Sequence, residues 1–193
     1  MATWFTSDQH FGHANIIGYC DRPFGDVEEM NAELVRRWNE VVRSDDTVYV
    51  LGDFAMGDLQ GSLAITPTLV GHKILVPGNH DRCWFGHPPD ARRAWPEVYL
   101  QAGFAEIRQG TIETSVAGKP VLACHFPYVG DSHDSDRFVP FRPCDEGRWL
   151  LHGHIHTSWR RRDRMVNVGV DVWDYRPVSE LELAAVIEHA EPS

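Results

Sequence analysis

Five short clusters carry the side chains able to do chemistry: Asp8-Gln9-His10, Gly52-Asp53, Gly78-Asn79-His80-Asp81, His125 and Gly153-His154-Ile155-His156. They supply carboxylates, one amide oxygen and several imidazoles, the donor set of a transition-metal site, since imidazoles suit Mn, Fe, Ni or Zn better than Mg or Ca. A carboxylate has two oxygens and can join two cations, and a neutral Asn limits the negative charge of such a site. Asp-x-His, His-x-His and Gly-Asp each recur by chance in turns, and Gly-Asn-His-Asp also reads as an Asx-type turn. Chance does not explain why each cluster follows a strand-like run.

The elements that must position these clusters are legible around them. A strand over residues 2–7 ends in Asp8, Thr47–Leu51 ends in Gly52-Asp53, and Lys73–Val76 ends in Pro77-Gly78-Asn79-His80-Asp81. Residues 8–25 read as a loop. From Asp26 to about Arg43, the apolar positions Val27, Met30, Leu34, Val35, Trp38, Val41 and Val42 form one helical stripe, and Asp26 with Glu29 resembles a capping box. A short helix is expected within 58–70 and another around 90–101. The order strand, polar turn, helix is βαβ logic, which favours parallel strands with ligands at their carboxyl ends. Strands follow at 105–109, 111–116, 120–125, 149–155 and 164–170, with turns at Gly118-Lys119 and Arg160–Asp163. Ser179 and Glu182 open a final helix reaching about Glu188. Residues 126–148, with four Asp and three Pro, read as a long loop of the functional or mobile kind.

At 193 residues, with 42% hydrophobic residues, the chain suits one α/β domain over 1–193. No run is apolar enough to span a bilayer, and Met1 is followed at once by a strand-like run, which leaves no room for a secretory signal and sets a cytoplasmic expectation. Cys20, Cys83, Cys124 and Cys144 form no CxxC pair and are expected as reduced thiols. A net charge of −10 argues against a general nucleic-acid coat. Short nucleic acid stays open as a partner through the one basic run, Arg160-Arg161-Arg162-Asp163-Arg164, whose plainer reading is a solvated hairpin tip.

Taken in order, the clusters resemble the calcineurin-like metallophosphoesterase superfamily, whose motifs run D-x-H, G-D, G-N-H-D/E, H and G-H-x-H; all five are present over residues 8–156. The stretch Ser7–Ile17 further resembles a small single-domain bacterial and phage branch. The resemblance implies two facing mixed β-sheets flanked by helices, a four-layer sandwich. It also implies that Asp8, His10 and His156 bind one metal, that Asn79, His125 and His154 bind a second, and that Asp53 bridges them. The metals implied are two divalent transition ions, Mn first, with Fe, Zn, Ni or Co as alternatives. His80 resembles the catalytic histidine near the leaving oxygen, with Asp81 orienting its ring.

The expected activity is therefore two-metal-dependent hydrolysis of phosphoesters, most of all phosphodiester bonds in nucleotide, cyclic-phosphate or RNA-type substrates. General phosphomonoesterase activity is the alternative, and a non-enzymatic scaffold of the same fold is the rival from another class. His13, Asn15, Arg22 and Arg82 are expected substrate contacts, with Arg137 and Arg142 as further phosphate clamps. Trp84 and Phe85 read either as a base-stacking platform or as packing. His152, two residues before His154, is read as sharing its face, whereas His72, His87, His133 and His189 read as surface residues.

Overall fold

The structure, a computed structural model, describes residues 1–189; the last residues of the expected domain, 190–193, lie outside it. In chain order the elements are β1 (Thr3–Thr6), α1 (Ala14–Tyr19), α2 (Val27–Val41), β2 (Thr47–Val50), α3 (Leu59–Leu63), β3 (His72–Leu75), α4 (Pro89–Arg92) and α5 (Trp95–Gln101). The second half adds β4 (Glu106–Ile107), β5 (Ile112–Val116), β6 (Lys119–Ala123), β7 (Leu150–His152), β8 (Arg161–Arg162), β9 (Met165–Asn167), β10 (Val178–Ser179) and α6 (Glu180–Glu188).

These elements make a mixed α/β fold with two five-stranded sheets, ordered β10-β1-β2-β3-β4 and β5-β6-β7-β9-β8. In the first sheet β1 to β4 pair in parallel and β10 runs antiparallel along β1. In the second, β6, β7 and β9 are parallel, flanked by antiparallel β5 and β8. All five ligand-type clusters therefore leave the carboxyl ends of parallel strands, three in one sheet and two in the other. The sheets meet at a parallel bridge between Ser7 and Gly169, where the Val170 N–H donates to the Ser7 carbonyl at 3.0 Å.

The helical stripe of α2 explains its packing, since Met30, Leu34 and Trp38 recur at i, i+4 and i+8 and are the residues it buries. They join Val48, Val50, Leu75, Tyr99 and Phe104 in one apolar cluster. The Asp26 carboxylate accepts the Glu29 N–H at 2.8 Å, but Glu29 accepts from Gly25, one residue further back than a capping box requires. A second cluster joins Phe5, Leu51 and Val76 to Val121, Ala123, Leu151 and Val166, so apolar side chains of both sheets share one core, closed by Leu183 and Ile187 of α6. Ser179 and Glu182 form the full reciprocal capping box at the start of α6.

Several boundaries differ from expectation. The loop over 8–25 contains α1, six residues in which only Ile16 is buried and whose preceding residue makes no side-chain cap. Arg161 and Arg162, read as turn residues, pair with Val166 and Met165, which moves the turn tip to Asp163. Residues 126–148 hold only a 3-10 turn at Val139–Phe141, as a long loop should. That loop is nevertheless anchored: Phe138 and Phe141 pack on a third cluster of Trp84, Phe126, Tyr128, Leu150 and Met165. Among the described residues no helix is long and apolar enough to cross a membrane. All four cysteines are free, and three of them are buried.

Candidate metal centre

Strand ends bring the clusters together. Asp8, His10 and His156 present ligand atoms within 4.8 Å of one another, and Asp53, His125 and His154 do the same. Each group draws from both sheets. Between them stands Asp53, whose Oδ2 lies 3.4 Å from His125 Nε2, 3.8 Å from His10 Nε2 and 3.9 Å from His80 Nε2. The other Asp53 oxygen accepts the His80 N–H at 2.9 Å. These residues thus form a buried Asp/His cluster fit to hold metal.

Backbone conformation pays for this convergence. Asp8, His10, Asp53, His154 and His156 all hold positive φ, from 47° to 72°, where a Cβ crowds its own backbone and which non-glycine residues seldom occupy. Such outliers concentrate where a surrounding structure over-determines the chain, often at functional sites. The motif glycines answer a different need, close approach. A Cβ on Gly78 would strike Asp53 Oδ1 and the His125 ring, and one on Gly153 would strike Ser7 Oγ and Asp8 Oδ2.

Hydrogen bonding tests whether these residues fit a cation. Asp8 Oδ1, His10 Nε2, Asn79 Oδ1 and His125 Nε2 are all buried without a partner, a costly state for a polar atom. His125 commits its Nδ1–H to the Leu51 carbonyl at 2.7 Å, so Nε2 is the nitrogen that faces the Asp53 carboxylate at 3.4 Å, where a proton or a cation must stand between the two. The remaining rings are fixed from behind, His156 by Nδ1 on Asp171 at 3.0 Å and His154 by Nε2 on Asp131 at 3.0 Å. Outer carboxylates of this kind orient metal-ligating imidazoles and raise their basicity.

Burial sets the charge states. It lowers the pKa of His10 well below the usual histidine value and that of His154 to about 3, keeping both neutral, as metal ligation requires. For His125 burial also pulls downward, but the Asp53 carboxylate outweighs it and raises the ring to about 9. Conversely, burial pushes Asp53 up while His125, His80 and His10 together hold it well below the carboxylate range. Burial raises Asp8. Above the cluster opens a cavity of about 660 Å³, walled by His13 and Tyr19 on one side and by His133 and Arg137 on another, with His80 at its edge.

No family model matches the chain. Whole-length relatives do. Over 200 residues it is 36% identical to the Gene 66 protein of Mycobacterium phage L5, across 97% of this chain and 94% of that protein. The chain belongs to the gene 66 protein family. An uncharacterized protein of Methanocaldococcus jannaschii, MJ1445, is 33% identical over 194 residues, covering 96% of this chain and 90% of that one. The crystal structure of the Aquifex aeolicus protein of unknown function AQ665 superposes with a TM-score of 0.70 at 28% identity, over 96% of this chain and 98% of that one.

Within this gene 66 family member, several expected site residues stand elsewhere. Arg22 does not reach the cavity: its buried guanidinium pairs with Asp171 at 2.7 Å and donates to the Asp8 and Gln9 carbonyls, clamping the first cluster from below. Asn15 is exposed beside Gly25 and Asp26, on a separate groove, because α1 turns it away. Asp81 does not orient His80. Its buried carboxylate instead accepts backbone N–H groups of Asp53, Phe54 and Gly78, tying the second cluster to the third.

Arg142 spends its guanidinium on Asp131 and on the Arg137, Pro127 and Gly130 carbonyls. Trp84 packs on Phe126, Phe138 and Phe141, which settles its two readings in favour of packing; Phe85, partly exposed, meets Phe141 edge-on. His152 is buried against Trp159, outside both ligand groups. His13 stays at the centre, its Nδ1 3.3 Å from that of His10, and Arg82 lines a small cleft beside Asn79 and His80. In the basic run, Arg160 donates to the Val172 carbonyl and lies over the Trp173 ring at 4.4 Å. Sequence reasoning missed Asp131 and Asp171, and nothing local distinguishes Asp131 from Asp134 or Asp136 in the same loop; His133 is exposed, as expected, and lines the cavity.

Proposed function

We propose that the protein is a two-metal phosphoester hydrolase of the calcineurin-like metallophosphoesterase kind, with the four-layer sandwich of that fold. The observation that carries this reading is the pair of Asp/His groups, Asp53 of one lying 3.8 Å from His10 of the other, with the partnerless atoms Asp8 Oδ1, His10 Nε2 and His125 Nε2 among their members. Asp8, His10 and His156 would hold one cation, Asn79, His125 and His154 the other, and Asp53 both. Mn²⁺ is the ion the superfamily resemblance puts first, and the oxygen and imidazole donors suit Fe, Zn, Ni or Co as well. Bound there, two such ions supply a nucleophilic solvent oxygen at neutral pH and stabilise charge on phosphoryl oxygens.

The remaining work falls to the chain. His80 is 43% exposed at the cavity edge, its backbone fixed on Asp53, so its ring can turn toward a leaving oxygen and donate a proton. His13, Arg137 and His133 offer donors around a bound phosphate, and the open cavity suits phosphodiester or cyclic-phosphate bonds of nucleotide or RNA-type substrates. Hydrolysis of bis-p-nitrophenyl phosphate, p-nitrophenyl phosphate and 2′,3′-cyclic nucleotides by Mn²⁺-loaded protein tests the reading. His80→Ala should keep its metal content and lose roughly 10²–10⁴-fold in turnover. Activity on monoesters alone overturns the diester preference, and failure of the wild type to take up Mn²⁺ or Zn²⁺ overturns the whole reading.

A further inference from the structure

We infer that Asp131 is a positioning residue that aims His154 at its cation, making the 126–148 loop part of the metal site. The inference rests on the two-metal reading above. Asp131 stands on a segment with little regular structure, among exposed neighbours, yet its carboxylate is wholly buried. One oxygen takes the His154 Nε2 at 3.0 Å, which leaves Nδ1 as the ring nitrogen free for a ligand. The same carboxylate accepts Arg137 through N, Nε and Nη2 at 2.8–3.1 Å and Arg142 Nη2 at 3.1 Å.

Two guanidiniums therefore keep the carboxylate charged and immobile while it holds the ring. Phe126 and Phe138 wall the imidazole, their centroids 5.0 and 5.6 Å from its own. Tilting His154 without Asp131 would leave its second nitrogen facing apolar rings. The arrangement repeats at the other group, where Asp171 stands behind His156 and is itself paired with Arg22. Arg137, anchored on Asp131, also faces the cavity, so one carboxylate sets both the ligand and a wall of the substrate space.

Mn²⁺ titration of metal-free wild type, Asp131→Ala, His154→Ala and the double variant tests this, with ion stoichiometry measured by elemental analysis. Wild type should bind two ions; Asp131→Ala should weaken one of them by about 10–100-fold, the usual cost of losing an outer partner, and leave the other unchanged. In the His154→Ala background, Asp131→Ala should change nothing further, because its effect passes through that ring. A purely structural role would weaken both ions together or persist in that background, and either result overturns the inference. So does an unchanged isotherm for Asp131→Ala when wild type binds two ions. A wild type that binds none overturns the two-metal reading first and this one with it. Should Asp131→Ala not fold, Asp131→Asn decides by the same comparison; its amide oxygen still accepts from Nε2–H, and a smaller loss confined to one ion is expected.

Discussion

The left-handed backbone beneath the centre has a measurable stability cost. His10, His154 and His156 hold φ of 55°, 72° and 47°. Replacing each in turn by Ala and by Gly removes the imidazole either way, so the Ala–Gly difference reads the Cβ at that φ and nothing of the lost ligand. A left-handed L-residue costs roughly 1–2 kcal/mol, while glycine forfeits about 0.5–1 kcal/mol through the freedom of its unfolded chain. The Gly variant should therefore be more stable than the Ala variant by about 1 kcal/mol at each position. In a chain of this size that is about 2–4 °C in melting temperature. Ala32, inside α2, supplies the opposite sign, since Ala→Gly in a helix costs about 1 kcal/mol. Urea unfolding in the presence of chelator measures both without a metal contribution. Ala variants as stable as their Gly counterparts at all three histidine positions would refute the claim that the ligand backbone is strained.

Two further outcomes follow from pairs outside the ligand set. Arg22→Met leaves the buried Asp171 without its guanidinium and frees the Asp8 and Gln9 carbonyls, and should cost about 3–5 kcal/mol in urea unfolding, against less than about 0.5 kcal/mol for the exposed Arg36→Met. Glu182 hydrogen-bonds Arg176, which lowers its pKa from the usual 4.5 to about 2. Its folded pKa is thus depressed, so the stability it contributes is complete above about pH 4.5 and disappears as pH falls toward 2. Glu182→Gln keeps an oxygen for the capping box but no charge, so the gap between wild type and variant should close across that window, as followed by thermal melts; a constant gap contradicts the assignment.

What the sequence made legible was periodic or local. The α2 stripe, the Ser179 capping box and the strand runs ending in Asp8, Asp53 and Gly78 each rest on neighbours a few residues apart, and the structure has them in place. An element defined by remote pairing was not visible: β10 spans two residues and exists because Trp4 and Phe5, from the other end of the chain, lie beside it. The candidate site divides the same way. Its ligand clusters could be read because each is contiguous, whereas Arg22, Asp81, Asp131 and Asp171 are joined to the clusters or to each other through Asp8, Asp53, His154 and Arg22, contacts that span 14 to 149 residues and lie beyond the reach of spacing arguments. Asn15 was misplaced because it falls on the exposed side of the short α1, and Arg22 because its partner Asp171 is remote in sequence.

Because each of the two Asp/His groups takes side chains from both sheets, neither half of the polypeptide owns a complete group. A nascent chain halted before residue 125 would expose Asp8, His10 and Asp53 with no imidazoles from β6 and β7 to complete them. On the two-metal reading, capture of the ions would thereby wait until the last parallel strands have docked.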